Sequence, residues 1–368
     1  LYIVYTGGTT GMPKGVMWRH EDIFFGAMGG GDPYRLEGPI STPDQLIERM
    51  PEMPASAFVA PPLMHVSGQW TAMQTLLSAG KVVLGPPGRF DPEAIWDMVE
   101  REAVNLITIV GDAMGRPLAD AVDPDRMDLS SLVAVGSGGA VLSAATKDRL
   151  ARALPNAVIV DGFGSSETGV VSGSLSPDDE PSGPTVVVDE RTNVLDDDLR
   201  PVTPGSGDVG MLARHGHVPL GYYKDEQKSA ATFVEIDGQR WVLPGDMATV
   251  ESTGKITLLG RGSVSINTGG EKVYPEEVEN AVKAHPLVTD AVIVGVDDPQ
   301  WGERVVAVVS TSTGEPIDLA ELQTVCREHV AGYKVPRQMV HVDQIERLPN
   351  GKTDYRWARD TASAAVGS

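Results

Sequence analysis

The chain has 368 residues, enough to bury a sizeable core and to hold two domains. A formal net charge of −21 with no basic run argues against a nucleic-acid partner and leaves the charge to serve solubility. The single cysteine, Cys326, excludes an intrachain disulfide and fits a reducing, cytoplasmic setting, and no apolar run reaches the length of a transmembrane span.

In chain order, the apolar run Leu1 to Tyr5 predicts a buried strand that empties into TGGTTGMPKG. Gly7, Gly8 and Gly11 let the backbone approach an anion, while Thr6, Thr9 and Thr10 offer hydroxyls and Lys14 a positive charge. This is the equipment of a phosphate-wrapping loop, although no Gly-Lys-Ser/Thr of a Walker loop follows. A merely flexible loop accounts for a few glycines, not for this density of Gly, Thr, Pro13 and Lys14.

ASAFVAPP, KVVLGPP, VNLITIVG, SLVAVGSGG and NAVIVDGFG then read as strands, alternating with helices near 68–78, 92–102, 113–122 and 143–153. The alternation predicts a largely parallel, helix-covered sheet with its catalytic loops at the carboxyl ends of the strands. SPDDEPSGP and VLDDDLRPVTPGSGDVG read as surface connections. From about Asp208, DVGMLAR, WVLPGDMATVES and GKITLLG, with a turn at Ser252, Thr253 and Gly254, predict a small antiparallel subdomain. From Gly262 onward, YPEEVENAVKAHP is a helix with Val278, Ala281 and Val282 on one side. The strands VTDAVIVGVDD, ERVVAVVSTS and QMVHVDQI, and a helix over 318–330 that buries Cys326, complete an α+β domain of roughly a hundred residues. The expected division is 1–261 and 262–368, with TASAAVGS as a disordered tail.

Three clusters carry chemistry. In DGFGSSETG, Phe163 offers a flat stacking face, Ser166 a hydroxyl, and Glu167 a hard oxygen ligand suited to Mg²⁺. Gly164-x-Ser166-x-Thr168 lacks the second glycine of a hydrolase elbow. Asp246 can accept from two adjacent hydroxyls, and Arg261 can hold sugar or phosphate oxygens. In RLPNGKTDYR, Lys352 can meet negative charge as it develops in a transition state. Each alone reads as a surface glutamate, a salt bridge or a loop lysine; their order along one chain favours function.

TGGTTGMPKGV resembles the phosphate-binding signature of the adenylate-forming (ANL) superfamily: acyl-CoA synthetases, firefly luciferases and the adenylation domains of peptide synthetases. The resemblance extends along nearly the whole chain and implies an α/β fold. That fold has a helix-covered, largely parallel large domain, a small antiparallel β subdomain and a smaller α+β C-terminal domain. It implies that Thr6 to Gly11 and Lys14 cradle the phosphates of ATP, and that Gly138, Gly139 and Ala140 of GSGGA lie between the adenine and acyl pockets. Asp161, Gly162, Phe163 and Gly164 take the adenine side, Ser166 faces phosphate or substrate carboxylate, and Glu167 holds Mg²⁺. Asp246 binds ribose with Arg261 assisting, and His65 of PPLMHVSG gates the acyl tunnel. Ser263 stands at the hinge, where the family usually has Asp or Lys; Gly269 and Gly270 border the pantetheine channel, and Lys352 is the catalytic lysine.

TGGTTGMPKGVMW and LPNGKTDYRWA point in particular to bacterial fatty-acyl or sterol-type CoA ligases. The implied reaction joins a carboxylic acid to coenzyme A with ATP and Mg²⁺, through acyl-AMP, and is compatible with a homodimer. The alternatives are an enzyme that hands acyl-AMP to a carrier protein, or an inactive nucleotide-binding fragment. Family members carry a long segment ahead of the phosphate loop, so the chain is expected to be the C-terminal part of a larger enzyme.

Overall fold

The computed structural model describes residues 1–6, 13–33, 37–173, 185–186, 189–348 and 352–366. SPDDEPSGP therefore lies outside the described residues, as do Gly7, Gly8, Thr9, Thr10 and Gly11.

Strands β1 (Tyr2–Thr6) and β2 (Lys14–Trp18) form an antiparallel hairpin, followed by helices α1 (His20–Gly26) and α2 (Gln45–Glu48). The expectation of a buried first strand is corrected. Among the described residues β1 pairs only with β2, and Val4 is buried while Ile3 and Tyr5 are exposed.

Next come β3 (Ser56–Val59), α3 (Val66–Leu77), β4 (Lys81–Leu84), α4 (Pro92–Arg101), β5 (Leu106–Ile109), α5 (Gly111–Asp120) and β6 (Ala134–Gly138). α6 (Ala144–Ala153), β7 (Val158–Ser165) and β8 (Gly169–Gly173) complete a six-stranded sheet of order β4-β3-β5-β6-β7-β8. All its pairs are parallel except β7 with β8. The helices are specified locally as well as by packing. Asp91 caps α4 by accepting from the Ala94 N–H, Pro92 opens it, and Ile95, Trp96 and Val99 supply one apolar face. Trp96 is fully buried and donates its indole N–H to the Leu118 carbonyl at 3.0 Å, fastening α4 to α5.

The antiparallel subdomain begins earlier than its sequence suggests. After β9 (Thr185–Val186), β10 (Thr192–Leu195) pairs with β11 (Gly210–His215). Val194 and Leu195, assigned above to a surface connection, are thus buried, with Val194 packed in one core cluster with Leu212 and Ala248. β12 (Gly221–Tyr222) joins β2; α7 (Glu226–Thr232), β13 (Phe233–Ile236), β14 (Gln239–Val242), β15 (Asp246–Val250) and β16 (Ile256–Arg261) follow. The β15–β16 turn falls at Ser252, Thr253 and Gly254, as expected.

The last unit comprises β17 (Ile266–Thr268), β18 (Glu271–Val273), α8 (Pro275–Lys283), β19 (Val288–Asp298), β20 (Gly302–Thr311), α9 (Leu319–Arg327), β21 (Gln338–His341) and α10 (Tyr355–Val366). β19 and β20 are buried on both faces. Ala291, Ile293, Val305 and Ala307 pack with residues of α8 and α9, whereas Val292, Val294, Val306 and Val308 pack with Ala358 and Ala362 of α10. This second face overturns the disordered tail: Thr361 to Val366 are helical because small alanines let α10 sit close on the sheet. Cys326 is fully buried in α9, and burial raises its thiol pKa to about 11.

Gly169 shows how tightly the elements meet. At its φ of +72° a side chain is strained, and a Cβ there would lie 2.2 Å from the Gly26 carbonyl oxygen at the end of α1. Gly169→Ala is expected to destabilise the chain by at least about 2 kcal/mol in chemical denaturation. An unchanged midpoint would mean that α1 and β8 separate freely.

Candidate functional site

The ends of several sheets meet around one turn. β7 runs on through Ser165, so Asp161, Gly162, Phe163 and Gly164 lie within a strand and not in a loop after it; β8 returns antiparallel and pairs with them. Only Ser166, Glu167 and Thr168 form the turn. The Ser165 hydroxyl accepts from the N–H groups of Glu167 (3.3 Å) and Thr168 (3.1 Å), and its oxygen lies 3.0 Å from the Thr168 hydroxyl. From β2, Trp18 donates its indole N–H to the Ser166 carbonyl at 3.0 Å. From β12, Tyr222 donates its hydroxyl to Glu167 Oε1 at 3.0 Å. Burial, then the Glu167 carboxylate, hold the Tyr222 phenol well above its ordinary value, so it stays a donor. Lys14 Nζ lies 5.5 Å from the centre of the Tyr222 ring.

Ser165, Thr168, Trp18 and Tyr222 were not singled out from sequence. Trp18 and Tyr222 act across 148 and 55 residues of chain, a spacing that no local motif records. Ser165 and Thr168 did stand within DGFGSSETG, where hydroxyls flanking a glutamate were a usable sign of a tied turn.

Thr6 and Lys14 face one another at the base of the β1–β2 hairpin. Asp246 and Arg261 are register partners across β15 and β16, with Arg261 Nε 3.3 Å from Asp246 Oδ1. Lys352 is an exposed residue; desolvation, then Arg261, lower its pKa, while Glu167, Asp246 and Glu276 pull the other way.

His65 caps the start of α3 with an extended backbone (φ −102°, ψ 148°). Burial first, and the charge of Lys352 second, depress its pKa. α3 is tied to β1 because Tyr2 donates its hydroxyl to Gln69 and accepts from the Trp70 indole N–H. Gly138 ends β6 opposite Gly162, and Gly139 and Ala140 follow beside the first turn of α3 and Gly111.

Other expected residues are engaged elsewhere. Asp161 is held by Lys147 of α6 at 3.0 Å; burial raises its pKa and Lys147 opposes that. Phe163 packs half-buried against the core of the antiparallel sheet. Gly269 and Gly270 form the β17–β18 turn, where Gly269 packs on Trp301 and donates to its carbonyl at 2.8 Å, contacts internal to the last unit. Ser263 lies in a short 3₁₀ turn over Gly262–Val264, directly after Arg261. Among the described residues no three His, Cys, Asp or Glu side chains form a metal cage. Glu167 nevertheless suits a Mg²⁺ that arrives with phosphates and water as its other ligands, since one carboxylate is the usual protein share of such a site.

Comparison with known proteins identifies the family. A family model described as AMP-binding enzyme matches residues 1–223, and one described as AMP-binding enzyme C-terminal domain matches residues 277–352. A 3-oxocholest-4-en-26-oate–CoA ligase of Rhodococcus rhodochrous is 50% identical over 369 residues, covering 98% of this chain and 66% of that protein. A medium/long-chain-fatty-acid–CoA/3-oxocholest-4-en-26-oate–CoA ligase of Mycolicibacterium smegmatis is 48% identical over 98% of this chain and 66% of its own length. The ATP-bound crystal structure of MatB from Rhodopseudomonas palustris superposes with a TM-score of 0.78 at 25% identity, over 99% of this chain and 68% of that one. The chain thus spans about two thirds of the curated relatives it matches, and it belongs to the AMP-binding enzyme family.

Proposed function

We propose that the protein is an ATP-dependent acyl-CoA synthetase of the AMP-forming kind, acting on a fatty or sterol-derived carboxylic acid. The observation that carries the reading is the Glu167 turn, held by Tyr222 and Trp18 with Lys14 over the Tyr222 ring, together with the Asp246–Arg261 pair across β15 and β16. The names of the relatives support the acyl class.

In the first half-reaction a carboxylate oxygen of the acid attacks the α-phosphorus of ATP and the bond to pyrophosphate breaks. Lys352 and Lys14 face the negative charge that builds on the phosphoryl oxygens, preplaced so that little reorganisation is needed. Asp246, steadied by Arg261, accepts from ribose hydroxyls, and Glu167, oriented by Tyr222, is the protein ligand for Mg²⁺. When bound, that ion neutralises charge on the phosphates. His65 stands between this space and the acyl chain. For the second half-reaction, residues 262–368 rotate about Ser263, withdrawing Lys352 and presenting the Gly269–Gly270 turn to coenzyme A. The thiol sulfur then attacks the acyl carbon and AMP leaves. Among the described residues no helix is long and apolar enough to cross a membrane. We place the protein in the cytoplasm, on its one buried thiol and acidic surface.

Incubation with MgATP, coenzyme A and a panel of fatty and sterol-type acids is expected to yield acyl-CoA by mass spectrometry. Acyl-AMP alone would move the reading to a carrier-linked enzyme, and no acyl product would reject it. Lys352→Met is expected to lower acid-dependent ATP–pyrophosphate exchange by about a hundredfold or more. The same variant should leave thioester formation from supplied acyl-AMP near wild type, and an equal loss in both assays would remove Lys352 from its proposed role.

Glu276, at the start of α8, adds a pH dependence. Burial, with Glu279 and Asp246, raises its pKa from 4.5 to about 7, against the pull of Arg261 and Lys283. The folded chain then binds more protons at this site than the unfolded chain between those values, so stability is lost as pH rises through that window. The melting temperature of Glu276→Gln minus that of the wild type, without nucleotide, should grow from pH 4.5 to above 7. A flat difference would place Glu276 in solvent.

A further inference from the structure

Helix α8 spans the seam between the last unit and the rest of the chain, and charged groups hold both its ends. At its start, the Glu276 side chain lies against Gly260 of β16. At its end, buried Lys283 is ion-paired to Asp112 at 3.5 Å and to Asp290 of β19 at 3.1 Å. Asp112 belongs to α5, and its Oδ1 also accepts from the Ser143 N–H (2.8 Å) and the Ser143 hydroxyl (3.0 Å). Asp290 in turn holds Arg347, whose Nε and Nη2 lie 3.1 and 2.5 Å from Asp290 Oδ2. Arg347 bridges to Thr353 as a strand partner, and the Leu348 N–H donates to the Lys352 carbonyl at 3.0 Å. A continuous run of charges therefore leads from Asp112 through Lys283, Asp290 and Arg347 to the hairpin that carries Lys352.

We propose that Lys283 and Asp112 are positioning residues that latch the last unit in the arrangement where Lys352 faces the phosphoryl-transfer site. This rests on the functional reading above and adds to it a specific contact that must break before the unit can rotate. The pair suits that role because each partner keeps other contacts when it parts. Lys283 retains Asp290, and Asp112 retains two hydrogen bonds from Ser143, so separation does not strand an unpaired buried charge. Asp112 also donates its N–H to the Val141 carbonyl at 3.2 Å, directly after Gly139 and Ala140, so the latch is seated on the segment assigned between the adenine and acyl pockets.

The test measures the two half-reactions separately in Lys283→Met, Asp112→Asn, the double variant and Lys283→Arg. Acid-dependent ATP–pyrophosphate exchange should fall about tenfold in the first two and no further in the double variant. Thioester formation from supplied acyl-AMP should hold or rise, and Lys283→Arg should restore exchange. Equal losses in both half-reactions, additive losses in the double variant, or unchanged exchange would each overturn the latch.

Amide hydrogen exchange over residues 260–268 supplies a readout that needs no catalysis, because the Gly262 N–H donates to the Gly245 carbonyl across the seam. It should speed up in Lys283→Met while β19 and β20 stay protected; no change there also rejects the latch. A wild-type chain silent in both half-reactions but showing this exchange difference would keep the latch and discard the functional reading.

Discussion

Burying a charge is tolerable only where an opposite charge or several donors meet it, and this constraint orders the whole site. The chain carries 51 acidic residues against 30 Lys and Arg. Arg261 is matched to Asp246 across adjacent strands, and Glu167 to a tyrosine that cannot readily ionise beside it. Lys352, desolvated and repelled by Arg261, is balanced by the carboxylates of Glu167, Asp246 and Glu276. In the proposed function the cations of this set would meet phosphate oxygens, and its carboxylates hydroxyls and a divalent ion.

The supports of that space are apolar and distant in sequence. Trp18 and Trp70 meet edge to face with ring centres 6.4 Å apart, and they join the hairpin that leads to Lys14 with the helix that begins at His65. Trp18 also holds the Ser166 carbonyl. One fully buried indole therefore fixes the relative positions of the β1–β2 hairpin, the Glu167 turn and helix α3. Gly169 lets α1 approach the same turn to a distance that no side chain permits.

Much of this was legible in the sequence because each chemical motif sits at the end of a strand or in a tight turn, where glycine and hydroxyl residues are conspicuous. The alternating strands and helices over 56–165 follow from β-branched runs and capped amphipathic helices, and they appear where expected. The misreadings have one cause: burial is decided by what an element packs against. Leu1 to Tyr5 is apolar enough for a central strand, yet among the described residues β1 pairs only with β2. Val194 and Leu195 are too short a run to stand out among aspartates, and the alanines of α10 look like a tail until the second face of β19 and β20 is seen to need covering. Tyr222, Trp18 and Glu276 carry no motif of their own and act only through contacts made on folding.

The same reasoning separates the two kinds of ion pair in the molecule. Asp246–Arg261 lies between neighbouring strands of one sheet and is fixed by their register, so it can serve as a rigid reference for a ribose. Lys283–Asp112 joins elements that no sheet connects, and its geometry is looser, 3.5 Å against 3.1 Å for Lys283–Asp290. The proposed rotation of residues 262–368 needs contacts of this second sort at the seam: strong enough to define one orientation, yet with alternative partners waiting on each side. Lys283 has Asp290 and Asp112 has Ser143, so the seam can open with the charges of each half already satisfied.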